Sequence, residues 1–319
     1  MNISEILYRD NISRNTDFLS MLTVYLMMWA VPVFVMVTGA LLLDPSRIIT
    51  FKHLYTRYIS RVFFALLFFG IFFRLFDMIM NKEAFSPAVI TDALLKIYTG
   101  KSWSHLWYIY LLIGIYVLLP VYRRVSETLD KKEYLYMLAA FAVFLSVLPV
   151  TDVFGKSSAF HLQTTAVYLL YFFAGYGIKK GYLKLGKPAA LLLFAAGTAG
   201  TSILCYVRYL YDLSSADTLL GSYASPFIVM QALSLFSLIY SEKESAGSGF
   251  VRFIAYFDKC TFGIYLIHMV FLRLFLRYME INPYSHGILS FVCIFAVTLV
   301  SSFAVVSILR LIPVIRRIV

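Results

Sequence analysis

The sequence predicts an all-α fold, a polytopic integral membrane helix bundle of about nine spans in one membrane-embedded domain covering residues 1–319. Three observations predict it. The chain is 61% hydrophobic with a mean hydropathy of +0.80. Only 14% of its residues are charged, against about 25% in a soluble domain. Apolar runs near the ~20 residues that a spanning helix needs recur along its length, at roughly 19–43, 59–76, 105–122, 134–150, 162–179, 188–210, 223–240, 255–278 and 286–311. So much apolar surface does not fit inside one water-soluble core, and lipid is the solvent it implies. No loop is long enough for a soluble domain, and no internal repeat points to an inverted-repeat transporter.

Residues 1–18, ahead of the first run, are polar and lack the apolar core of a signal peptide, so they read as an external segment. The second run opens behind a basic loop. There Arg57 and Arg61 are spaced i,i+4, a spacing that would suit the phosphates of coenzyme A. Near its far end Arg74 and Asp77 are spaced i,i+3 and can pair on one face, with snorkelling to the interface the bland reading.

The third run begins SHLWYIYLLIGIYVLLP, Ser104–Pro120, and sets His105 and Trp107 at the membrane boundary. A tryptophan there buries its ring and keeps its N–H wet. An imidazole there titrates near neutral pH and suits proton abstraction from a hydroxyl. The bland reading of the pair is an interfacial anchor. The fifth run holds Gly175 and Gly177 in YFFAGYGIKK, which suit close helix packing in lipid.

In the eighth run, FGIYLIHMVF puts His268 at mid-depth, where an ionisable group needs a partner and an interior face. Tyr265, three residues earlier, is the expected partner. Arg273 and Arg277 follow one turn apart, where snorkelling competes with a site role. Convergence of these helices would gather His105, Arg74, Arg273 and Arg277 at one mouth, fit for an anionic or hydroxyl-rich acceptor. The ninth run leads into the tail, 310–319.

Every second loop is basic. The loops near 44–61, 123–133, 179–187 and 241–259 and the tail hold 18 Lys and Arg, and the opposite side holds 7. Topology accounts for the formal charge of +11, and no basic run suggests nucleic acid. The bias places the N-terminus outside and the C-terminus in the cytoplasm. Cys205, Cys260 and Cys293 fit neither a disulfide framework nor a metal site, and no Walker A, dinucleotide or HExxH motif occurs.

Four blocks in order resemble membrane-bound acyltransferase family 3, in its polysaccharide O-acetyltransferase branch: AVPVFVMVTGALLL at 30–43, SHLWYIYLLIGIYVLLP at 104–120, VYLLYFFAGYGIKK at 167–180 and TFGIYLIHMVF at 261–271. The resemblance implies a bacterial inner-membrane enzyme of cell-envelope polysaccharide biosynthesis. It would move an acyl group, usually acetyl, from cytoplasmic acyl-CoA to a hydroxyl of an extracytoplasmic glycan or glycolipid, with no metal. The family also has a further first helix bearing an Arg and a catalytic His. This sequence is expected to begin after that helix, which leaves His105 and His268 as the catalytic candidates. Arg74, Trp107, Tyr265, Arg273 and Arg277 are the substrate-binding candidates, and Arg57 and Arg61 those for the donor. A flippase or transporter of lipid-linked sugars and an inactive accessory remnant are the other classes that fit.

Overall fold

The computed structural model describes residues 14–150, 167–211, 213, 215–241, 248–279, 288–313 and 315–318. The expected external segment up to residue 13 and the first residues of the fifth and ninth runs lie outside these. Every described element is a helix or turn, and no strand occurs among the described residues.

The helices are α1 (Arg14–Leu26), α2 (Ala30–Leu42), α3 (Ser60–Met80), α4 (Ala88–Tyr98), α5 (Trp107–Thr128), α6 (Lys131–Ala142), α7 (Val167–Lys179), α8 (Lys187–Tyr211), α9 (Ala216–Leu220), α10 (Pro226–Ser241), α11 (Ser248–Arg273) and α12 (Ile288–Leu309). Wider π-helical turns lead into α3 at Leu54–Ile59, continue α6 at Val143–Val147 and continue α11 at Leu274–Tyr278.

Among the described residues, seven helical stretches are long and apolar enough to cross a membrane, against nine apolar runs in the sequence. The other two runs fall on shorter described helices. The described part of α7 has 13 residues and α10 has 16, which at 1.5 Å each reach about 20–24 Å against a hydrocarbon core near 30 Å.

The chain forms two compact units. The second comprises Ser13–Ile48 and Leu119–Glu244. In it α2 and α7 cross backbone to backbone. A Cβ on Gly39 would collide with the Phe172 carbonyl, and one on Gly175 with the Met36 carbonyl. On α8, a Cβ on Gly197 would sit 2.7 Å from the Phe227 carbonyl of α10. Asp130 starts α6 through a capping box with Glu133, at 2.8 and 2.9 Å.

Among the described residues, the first unit comprises Ile49–Leu118 and those within Ser245–Val319. Its core joins Phe69 and Phe73 of α3, Leu106, Ile109 of α5, Leu266 and Ile267 of α11, and Val306 of α12. Helix α4 interrupts a stretch that sequence alone reads as a loop. Val89, Ala93 and Ile97 recur every four residues and are buried, and Gly70 leaves room for Ile97. The unit thereby brings the far end of α3, the residues before α5 and the C-terminal half of α11 together.

Candidate functional site

His105 lies on a single 3-10 turn, Ser104–Leu106, closed by the Leu106 N–H on the Trp103 carbonyl at 3.0 Å. Helix α11 holds the residue at two points. The Tyr265 hydroxyl donates to the His105 carbonyl. The His105 Nε2 lies 3.1 Å from the Leu266 carbonyl. A carbonyl only accepts, so Nε2 carries the proton and Nδ1 keeps its lone pair. That Nδ1 is buried and has no hydrogen-bond partner.

His268 stands beside it, with ring centroids 5.4 Å apart. Its Nδ1 lies 2.6 Å from the Tyr265 carbonyl, so this ring is protonated at Nδ1 and its Nε2 is the basic nitrogen. The expected Tyr265–His268 pairing therefore runs through the Tyr265 carbonyl, while its hydroxyl goes to His105. Tyr108, Phe73 and Trp103 complete the aromatic surround of His105 and Tyr265.

Next to these rings is an ion pair between a buried arginine and a half-buried aspartate. Arg273 Nη1 donates to Asp77 Oδ1 at 2.7 Å. Trp103 Nε1 donates to the other oxygen, Oδ2, at 2.8 Å. The Arg273 guanidinium also lies over the Trp103 ring, 3.7 Å from its centroid, and Phe73 stacks on Trp103 at 4.2 Å. Two groups that close to one flat ring must occupy its opposite faces. Trp103 is 5% exposed and Arg273 7%.

The expected Arg74–Asp77 pair does not form. Arg74 instead bonds Asp92 of α4 at 2.6 Å and Glu83 at 2.8 Å, and Lys96 joins Asp92 at 2.8 Å. The reason is reach. Arg273 and Trp103 already hold one oxygen each of Asp77, and Asp92 of α4 and Glu83 ahead of that helix offer Arg74 carboxylates elsewhere. Lys96 and then Arg74 hold the Asp92 carboxyl below its usual range, and Arg74 does the same for Glu83.

Arg277 is likewise absent from the group. The π-helical Leu274–Tyr278 breaks the four-residue return to one face, and the guanidinium lies over the Tyr278 ring at 5.6 Å. Trp107 heads α5 against Tyr108, ring centroids 5.9 Å apart. Arg57 is exposed on the π-helical entry to α3. Arg61 lies over the Phe262 ring of α11 at 5.2 Å, one turn before Tyr265. The convergence foreseen from sequence thus gathers His105, Tyr265, His268 and Arg273, and not Arg74 or Arg277. Sequence reading missed Trp103. Its one signal is a second tryptophan in WSHLW, two residues before His105.

This arrangement holds two imidazoles in fixed tautomers, one presenting a dry, unpartnered basic nitrogen. That is the equipment for taking a proton from a hydroxyl. Among the described residues no three His, Cys, Asp or Glu side chains assemble as a metal site. A family model described as an acyltransferase domain matches residues 4–307, nearly the whole chain. No curated protein and no solved structure matches.

Proposed function

Because this chain belongs to acyltransferase family 3, we propose that it is a membrane O-acyltransferase that uses acyl-CoA, most simply acetyl-CoA, to acylate a hydroxyl of a glycan or glycolipid across the bacterial inner membrane. The observation that carries this reading is the His105 Nδ1, a buried lone pair without a partner whose tautomer the Leu266 carbonyl fixes.

In the reaction, the acceptor hydroxyl gives its proton to His105 Nδ1 as its oxygen attacks the thioester carbonyl. The tetrahedral intermediate collapses, the C–S bond breaks and the ester remains on the acceptor. The imidazolium returns its proton to the departing thiolate. Tyr265 already gives its hydroxyl to the His105 carbonyl and Arg273 its Nη1 to Asp77. Both donors hold the base, while the Arg273 Nε makes no hydrogen bond. His268 is the second basic group within reach. Acyl-CoA is a substrate consumed in the cycle, with Arg57 and Arg61 as candidates for its phosphates.

The test is transfer of label from radioactive acetyl-CoA to glycan in membranes carrying the chain. Labelled glycan, lost in His105→Ala at unchanged protein level, supports the reading. Glycan movement without labelling would favour the flippase class instead.

A further inference from the structure

Arg273 looks like a substrate-binding cation in the sequence, and the structure gives it a different task. We propose that Asp77, Arg273 and Trp103 form a positioning clamp that sets His105, and that none of the three binds the acceptor. The proposal rests on the reading of His105 as the base.

One carboxylate holds two partners. Asp77 takes the Arg273 Nη1 on Oδ1 and the Trp103 Nε1 on Oδ2. The same Arg273 covers one face of Trp103 and Phe73 covers the other. The indole is thereby fixed in its plane by the hydrogen bond and across its plane by the two stacked groups. Phe73 also meets His105 directly, with ring centroids 5.3 Å apart.

Trp103 is the residue on which the 3-10 turn closes, so its backbone sets where the turn starts. His105 follows two residues later, and its Nδ1 makes no hydrogen bond of its own. The position of that nitrogen therefore depends on the turn and on the two contacts from α11. The charges also argue against acceptor binding. Arg273 is buried and matched by the half-buried Asp77, and an incoming anion would have to displace a carboxylate already in place.

The clamp is tested by two readouts on the full chain in membranes. The first is ethoxyformylation of His105 by diethyl pyrocarbonate, followed by peptide mass spectrometry, with exposed His53 as the internal standard. Wild type should label slowly at His105, because Nδ1 is buried. Trp103→Phe keeps the stack and loses the hydrogen bond, and Asp77→Asn loses the ion pair. Both should raise His105 labelling about fivefold or more, with His53 unchanged, and Asp77→Glu should restore most of the protection.

The second readout is the kinetics of acyl transfer. A displaced base should lower kcat about 10- to 100-fold, since a shift near 1 Å costs on that order. KM for acceptor and donor should stay within about twofold. Unchanged His105 labelling in both variants would overturn the clamp. So would a raised acceptor KM at constant kcat, which would return Arg273 to substrate binding. If Asp77→Asn does not accumulate, Asp77→Asn with Arg273→Gln strands no buried charge and takes its place, and Trp103→Phe stands independently. If wild type transfers no acyl group, the functional reading fails, while the labelling still decides the clamp.

Discussion

Two backbone carbonyls, of Tyr265 and Leu266, determine which nitrogen of each histidine is basic. In His105 one nitrogen is bonded and the other keeps its lone pair for a proton. His105→Ala should therefore reduce acyl transfer by about 10²- to 10⁴-fold, the usual worth of a general base, in an assay normalised to protein level. Tyr265→Phe removes one neutral hydrogen bond to the His105 carbonyl. A loss of about two- to tenfold in kcat is expected from a bond worth ~0.5–1.5 kcal/mol. The Arg74 cluster makes a pH prediction. Glu83 and Asp92 are held below their ordinary values of 4.5 and 3.8. Their contribution to stability is then complete above those values and is lost as pH falls through the lower folded-state values. Thermal melts of wild type and Asp92→Asn in detergent should differ near neutrality and converge in acid. His105, Tyr265 and His268 were legible because polar residues inside apolar text stand out. The partner of Asp77 was not legible. Arg74, three residues away, satisfies the local rule, whereas Arg273 lies 196 residues along the chain.

Among the helices, the α2–α7 crossing shows how small residues act in lipid, where close backbone approach replaces the hydrophobic drive between helices. Gly39 and Gly175 each face a carbonyl of the other helix, and backbone does not yield as a side chain would. Gly39→Ala should cost about 1–3 kcal/mol or more, read as a lower melting temperature of the detergent-solubilised protein. Gly114, with open space around its missing Cβ, should tolerate the same change within about 0.5 kcal/mol. Gly175 was legible as a packing residue from sequence, but not its partner. Helix α4 escaped notice because 11 residues carrying Asp92 and Lys96 do not register as an apolar run. The π-helical turn at Leu274–Tyr278 leaves no reliable mark in composition, so Arg273 and Arg277 read as face-mates when they are not.

At the scale of the whole molecule, composition fixed the class of fold at once, since no other solvent accommodates so apolar a chain. The number of crossings was less accessible: seven spans are long enough among the described residues, and the run at 162–179 begins outside them. Loop charge predicts an orientation with Val319 in the cytoplasm. A C-terminal tag should be shielded from impermeant reagents in intact cells and labelled after lysis. Labelling before lysis would reverse every span. The division of the first unit between distant parts of the chain has a consequence in time. His105 meets its partners on α11 about 160 residues later. At a synthesis rate of ~5–20 residues per second, the imidazole waits roughly 8–32 s after it is made. A longer delay, roughly 10–39 s over 196 residues, separates Asp77 from Arg273. For that interval the unfinished protein carries a lone carboxylate and an unheld ring in or beside the bilayer, so the nascent chain, more than the finished one, is where an insertion chaperone or a membrane protease would find something to grip.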